Sequence, residues 1–216
     1  MKLFDKVFLT GCDNKTEWML GWFLKHYYMH NTTPIVFANF GVGEQALDQV
    51  SACAHTINMQ DAAGTGWFKK PQAMIEASKI ANKVCWIDTD CHVLGDLSGV
   101  FDLIQPNKLA MVEDAPWSKL RQETWHNTGV VAFQDRPPIL DQWVKAVKDN
   151  PVQGDQEVLH MILRKDLKRH INITSLPQEY NWLRLLLKNG VDSKKKKVMH
   201  WTGPKGKEHI KGIVND

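Results

Sequence analysis

The chain has 216 residues, with 27 Lys and Arg against 24 Asp and Glu, for a net charge of +3. Hydrophobic residues make up 43% and charged residues 24%, an ordinary globular balance that suits one α/β domain with a full core. So small a positive excess gives no argument for nucleic acid as a partner, and no window approaches the ~18 apolar residues of a transmembrane segment.

Residues 1–6 read straight into a strand and not into a secretory leader. Cys12, Cys53, Cys85 and Cys91 form no CxxC pair, so they are expected to be reduced thiols in a soluble cytoplasmic protein. A zinc site from Cys85, Cys91 and His92 has the wrong spacing. Nine tryptophans are more than a core alone requires, and some are expected to line a pocket.

Lys6-Val7-Phe8-Leu9-Thr10 predicts a first strand, and Gly11-Cys12-Asp13-Asn14 supplies turn chemistry. From Lys15 to about His30, the residues Trp18, Met19, Trp22, Phe23 and Tyr27 recur at helical spacing. Pro34 to Ala38 predicts a second strand, residues 54–59 a third, and Gly64-Thr65-Gly66 a loop. Pro71 suits the first turn of a helix that runs to about Asn82. Val84 to Ile87 is the central buried strand, and Val93-Leu94-Gly95-Asp96 leads to a short turn or helix through Phe101. Leu109 to Val112 and Val130 to Phe133 predict further strands. Helices follow from Pro137 to about Lys148 and from Gly154-Asp155 onward. Ile171-Asn172-Ile173 reads as a strand, Tyr180 to Leu187 as helical, and Lys197 to His200 as a last short strand. Strand–helix alternation in the first half implies parallel βαβ units, so an α/β fold with a mixed central sheet flanked by helices is expected.

The most informative stretch is Val84-Cys85-Trp86-Ile87-Asp88-Thr89-Asp90. A buried strand carries two carboxylates to the sheet edge where α/β folds keep their ligand crevice. Such carboxylates repel each other unless a cation lies between them, and oxygen ligands suit a hard ion such as Mg²⁺ or Mn²⁺. That ion on a sheet edge is the usual partner of a diphosphate. The bland alternative is a solvated turn. The run Lys194 to Lys197 is either a solvated loop or an electropositive rim for an anionic ligand or membrane surface.

Five further pieces occur in a telling order: Val93-Leu94-Gly95-Asp96, Asn127-Thr128-Gly129-Val130, Asp155-Gln156, Leu176-Pro177 with Tyr180-Asn181, and His200-x-x-Gly203. With Asp88-x-Asp90, this order resembles the GT-A-fold glycosyltransferases. It is most similar to the retaining family 8 group that includes glycogenin and the bacterial lipopolysaccharide galactosyltransferases. A weaker likeness is to the short capsid-glycosylating transferases of large algal viruses, so the cytoplasm of a host cell is an alternative setting. The resemblance implies a single GT-A domain over residues 1–216, with a nucleotide-binding part at about 1–100 and a sugar and acceptor part at about 101–216.

It further implies a UDP-sugar donor, Mn²⁺ or Mg²⁺ held by Asp88, Asp90 and His200, and transfer to a glycan, protein or lipid-linked acceptor with retention. Thr89, Asp114 and Asn127 would contact the donor sugar side. Gly203 with Lys205 or Lys207 would meet the diphosphate, although the family's usual lysine position is Gly206 here. Thr10, Asp13 and Asn14 would meet the uridine, with Lys15 where the family often has a tyrosine and Trp67 as a substitute aromatic. Lys70 would reach ribose or phosphate. Asp155 and Gln156 would stand near the anomeric carbon. Because the amide of Gln156 is a poor nucleophile, front-face transfer is expected, with Asp155 as the reserve nucleophile or simply a helix N-cap.

Three readings compete, one of them a nucleotidyltransferase, which should show a glycine-rich loop with a basic residue after the first strand, and Thr10-Gly11-Cys12-Asp13 is not that loop. Haloacid-dehalogenase-type phosphatases also place Asp-x-Asp after a strand, with Asp88 as nucleophile and Asp90 as acid, but that motif normally opens the chain. A non-catalytic nucleotide-sugar-binding module predicts binding without turnover.

Overall fold

The structure is a computed structural model that describes residues 2–62, 64, 66–193 and 195–215. Thr65 of the expected loop and Lys194 of the basic run lie outside the described residues.

Strands and helices alternate at first: β1 (Phe4–Cys12), α1 (Leu20–His30), β2 (Ile35–Asn39), α2 (Glu44–Val50), β3 (His55–Asn58), α3 (Lys70–Ile80) and β4 (Ala81–Ile87). The order then becomes mixed: β5 (Cys91–Val93), β6 (Leu109–Glu113), α4 (Ala115–Arg121), β7 (His126–Gln134), α5 (Pro138–Asp149), α6 (Asp155–Leu163), α7 (Asp166–Asn172), β8 (Ile173–Ser175), β9 (Trp182–Leu183), α8 (Arg184–Lys188), β10 (Val198–His200) and α9 (Gly203–Asn215).

Seven strands form one sheet in the order β3-β2-β1-β4-β7-β6-β8. The first four are parallel, and β7 runs antiparallel to both β4 and β6. Strand geometry sends alternate side chains to opposite faces. On one face Phe8, Phe37 and Cys85 pack with Phe23 and Tyr27 of α1. On the other, Val7, Leu9, Val84 and Trp86 pack with Met74 of α3 and Trp143 of α5. Covered faces on both sides explain why β2 and the end of β4 read as continuous apolar runs.

A second sheet, β5-β10-β9, is built from strands of only two or three residues. It ties Cys91–Val93 to Val198–His200 in antiparallel register, so His200 is delivered opposite the end of the Asp88-x-Asp90 segment.

Several expectations need correction. The strand expected at Val130–Phe133 begins four residues earlier, at His126, so residues 126–129 are the buried start of β7. The strand expected at Ile171–Ile173 begins only at Ile173, because α7 occupies Asp166–Asn172. The helix expected over Tyr180–Leu187 is a 3-10 turn at Gln178–Tyr180, then β9, then α8. Residues 203–207, beyond the last predicted element, open the 13-residue α9, whose Gly203, Gly206 and Gly212 mask the helix because glycine is a poor helix former. Ile210, fully buried in the first core cluster, anchors it.

Trp143 is fully buried and its Nε1 donates to the Asp155 carbonyl at 3.0 Å, which fixes the start of α6. Trp143→Ala is expected to cost about 3–5 kcal/mol of stability, read as a lower urea midpoint at unchanged slope.

Candidate active site

A cleft of about 530 Å³ opens at the C-terminal edge of the parallel strands. Across it, the sheet order sets the sequence of contributors: the end of β1, then β4, then β7 and β6.

At its centre, Asp88 leaves the end of β4. Trp86 lies two residues earlier, on the same strand face, and its Nε1 donates to Asp88 Oδ1 at 2.6 Å. Lys70, at the start of α3, is 2% exposed. Its ammonium stands 2.9 Å from Asp88 Oδ1 and 3.0 Å from Asp155 Oδ2, and donates to the Thr128 carbonyl at 3.2 Å. Burial works against the Lys70 charge, but Asp155 and Asp88 raise its pKa above the ordinary lysine value.

His200 Nε2 stands 3.1 Å from Asp90 Oδ1 and 3.9 Å from Asp88 Oδ2. Its tautomer follows from its neighbours. Asn127 Oδ1 accepts the Gly129 N–H at 2.9 Å, and Asn127 Nδ2 donates to Asp114 Oδ2 at 3.1 Å, which fixes the Asn127 amide. Asn181 Nδ2 then donates to Asn127 Oδ1 at 2.8 Å, so Asn181 Oδ1 faces His200 Nδ1 at 3.0 Å. Nδ1 therefore carries a proton, and Nε2 is the nitrogen presented to the two aspartates. Gly129 makes room for this ring: a Cβ there would lie 2.1 Å from His200 Cε1.

The electrostatics fit a cation. Burial, with Asp90 and Asp155 nearby, pushes the Asp88 carboxyl up against the pull of Lys70 and His200. Burial also opposes the Asp90 charge, but His200 holds its carboxyl below the usual range, and Lys207 and Lys70 add to that. Burial likewise opposes the His200 charge, yet Asp90 raises that imidazole above its ordinary value. Two carboxylates and an imidazole make a donor set for a divalent ion with some affinity for nitrogen, such as Mn²⁺. Among the described residues, Asp90, Cys91 and His200 have ligand atoms within 4.8 Å of one another. Burial keeps the Cys91 thiol well above its ordinary pKa, so it stays neutral and suits packing better than ligation.

Beside this centre, Asp114, Asn127 and Gln156 form a closed set. Gln156 Nε2 donates to Asp114 Oδ2 at 3.1 Å, and its Oε1 accepts from Asn127 Nδ2 at 3.0 Å. Asp114 Oδ1 also caps α4 by accepting the Trp117 N–H. The N-cap of α6 is Gly154, and Asp155 is the first helical residue, with its carboxylate on Lys70; the expected capping role for Asp155 is thus corrected.

Asp13, Lys70, Asp88, Thr89, Asp90, Asp114, Asn127, Asp155, Gln156, His200, Gly203 and Lys207 all line the cleft, as do Lys15 and Trp67. Thr10, Asn14 and Lys205 are not among the lining residues. The buried Thr10 hydroxyl donates to the Ile87 carbonyl at 2.8 Å, and the Asn14 N–H donates to Gly41. Lys205 is exposed. Gly206 accounts for the shifted lysine: a Cβ there would lie 1.9 Å from the Trp201 carbonyl oxygen, so no side chain fits. Four residues given no role from sequence also contribute: Trp86, Thr128, Asn181 and Arg184. Trp86 carried a local signal in its two-residue spacing from Asp88, and Thr128 and Asn181 stand within quoted motifs, whereas Arg184 had no signal around it.

No protein-family model matches the chain, and no curated protein matches it by sequence. Solved structures do. The chain has the fold of GT-A-type glycosyltransferases, with seven mixed strands flanked by helices. The galactosyltransferase LgtC, solved with donor and acceptor sugar analogs, aligns at a TM-score of 0.70 and 15% identity over 97% of this chain and 95% of its own. GlyE of Streptococcus pneumoniae TIGR4 aligns at 0.68 and 18% identity, over 93% of this chain and 55% of its own. The bifunctional glycosyltransferase WbbM aligns at 0.66 and 14% identity, over 98% and 50%. The chain thus spans about half the length of the last two. Among the described residues, no helix is long and apolar enough to cross a membrane.

Two outcomes follow. Gly129→Ala is expected to displace the His200 ring and cost about 1–3 kcal/mol, measured by urea unfolding together with the shift of the His200 ring protons. His126, beside Asn127, has its pKa lowered to about 4 by burial, with Arg169 and His160 adding to the effect. The unfolded chain therefore binds more protons than the native state between about pH 4 and 6.5. Stability should rise with pH through that window, and His126→Gln should flatten the slope of urea midpoint against pH.

Proposed function

We propose that this chain is a metal-dependent glycosyltransferase that moves a sugar from a UDP-sugar to a hydroxyl of a glycan, protein or lipid-linked acceptor, with retention. The observation that carries this reading is the convergence of Asp88, Asp90 and His200 in one cleft, beside the polar set Asp114, Asn127 and Gln156. The likeness to glycosyltransferases supports it.

Asp88, Asp90 and His200 would hold Mn²⁺ or Mg²⁺, which when bound supplies Lewis-acid stabilisation of the leaving diphosphate. Lys207 lies on the same side, where its charge already acts on Asp90, and is the lysine suited to the diphosphate. Gly203, at φ +72°, lets backbone approach a phosphate closely. Asp114 keeps acceptor capacity for a hydroxyl of the sugar, and Asn127, whose two N–H groups are held by Asp114 and Gln156, positions it. Gln156 is held by both ends of its amide and has no charge to attack with. The carboxylate of Asp155 is engaged by Lys70. Both features favour front-face attack by the acceptor hydroxyl over a covalent intermediate, with the leaving phosphate oxygen taking the proton. Lys15 and Trp67, at the β1 end of the cleft, would flank the uracil.

Calorimetric titration of UDP tests the reading. Micromolar binding that needs Mn²⁺ is expected, and Asp90→Ala should weaken it by at least ~100-fold. Lys207→Ala should weaken it by about tenfold, whereas Lys205→Ala should leave it within about twofold. Absence of Mn²⁺-dependent UDP binding would remove the uridine assignment. Binding without hydrolysis of any UDP-sugar and without transfer would favour the non-catalytic module.

A further inference from the structure

Arg184 opens α8 and lines the cleft half-buried. Its Nε donates to the Thr202 carbonyl at 2.5 Å, and among the described residues no carboxylate pairs with it. The neighbouring cations are engaged differently: Lys70 holds Asp88 and Asp155, and Lys207 acts on Asp90. The Thr202 contact fixes the plane of the guanidinium and leaves its two terminal nitrogens as a fork, the geometry that matches a carboxylate or phosphate. A guanidinium held so, in a half-buried position without a counter-ion, is a recognition group and not a fold-stabilising ion pair.

Its surroundings are apolar. Helix α4 packs beside α8, with Ala115 against the cluster of Leu183 and Leu186. Trp117 of α4 and Leu185 of α8 line the same wall of the cleft. Trp117 is supported by Trp125 at 5.7 Å, which itself stacks on His160 at 3.7 Å. Indole and leucine surfaces suit the C–H face of a pyranose. Trp117 follows Asp114 at the end of β6, and Arg184 Nη2 stands beside Gly203, 3.7 Å from where a Cβ on that glycine would lie, so the guanidinium sits between this wall and the start of α9.

We infer that Arg184 selects an acceptor sugar carrying an acidic group, a carboxylate or a phosphate, with Trp117 and Leu185 covering the sugar ring. This deepens the glycosyltransferase reading and rests on it for the word acceptor; the anionic subsite itself rests on the geometry alone.

The test measures binding of p-nitrophenyl β-D-glucuronide and p-nitrophenyl β-D-glucoside, which differ in the C6 carboxylate, with and without UDP and Mn²⁺. The wild type is expected to prefer the glucuronide by about tenfold. Arg184→Gln should abolish that preference, Arg184→Lys should keep part of it, and all three proteins should bind UDP alike. Glucose 6-phosphate against glucose is a second arm; a larger preference there assigns phosphate as the anion. Equal affinity of the wild type for both members of each pair overturns the inference, and does so without any variant. A loss of UDP affinity in Arg184→Gln also overturns it, by assigning the guanidinium to the diphosphate. Failure of the wild type to bind UDP sinks the nucleotide-sugar reading alone, since the glycoside pair measured without UDP still decides the anionic subsite.

Discussion

One buried ammonium holds the cleft together. Lys70 stands between Asp88 and Asp155 and donates to the Thr128 carbonyl, so a single charge joins the start of α3, the end of β4, the start of α6 and the strand β7. Among the described residues, neither carboxylate has another cation as near. A buried ion pair of this kind adds little net stability over an apolar replacement, but losing one partner alone is costly because the other charge is left stranded. Lys70 therefore sets geometry more than it adds free energy. It fixes where Asp88 points, and the Trp86 indole N–H holds the same oxygen from the strand side.

From Asp90 a second line of contacts runs across the cleft through His200, Asn181 and Asn127 to Asp114 and Gln156. From His200 Nδ1 onward, every link has a defined donor and acceptor. Its direction is set at Asn127, where the Gly129 N–H and the Asp114 carboxylate leave only one way to place the amide. The state of a ring nitrogen beside Asp88 and Asp90 is thus determined by a backbone N–H and a carboxylate at the other end of the line. Fully satisfied polar networks of this type specify one arrangement and tolerate few others.

Much of this was legible in the sequence, and the reason is local. The apolar run before Asp88 is a strand because both its faces are covered, and that fact is written in four consecutive residues. Asp114, Asn127 and Gln156 sit just beyond or at the start of elements whose patterns are equally plain. What was not legible depends on partners far along the chain. The three residues of β5 form a strand only because Val198–His200 pairs with them. Asn181 has its role only once His200 and Asn127 are on either side of it. Arg184 has no motif around it, and its meaning comes from α4 and Thr202. Gly206 looked like a missing lysine, whereas it is the residue that allows α9 to start against Trp201.

The dependence of His200 on the small sheet also orders events in time. Asp88 and Asp90 leave the ribosome long before the strand that carries the imidazole, and the pairing of β5 with β10 spans most of the second half of the chain. Contacts of such long sequence separation form late because the loop they close must first be brought together. A nascent chain thus carries its acidic pair for about half of its synthesis without the imidazole. Completion of this corner of the cleft is coupled to docking of the last strand and helix, so a product truncated between Asp90 and His200 has the two carboxylates but lacks both the imidazole and the Ile210 anchor of the core.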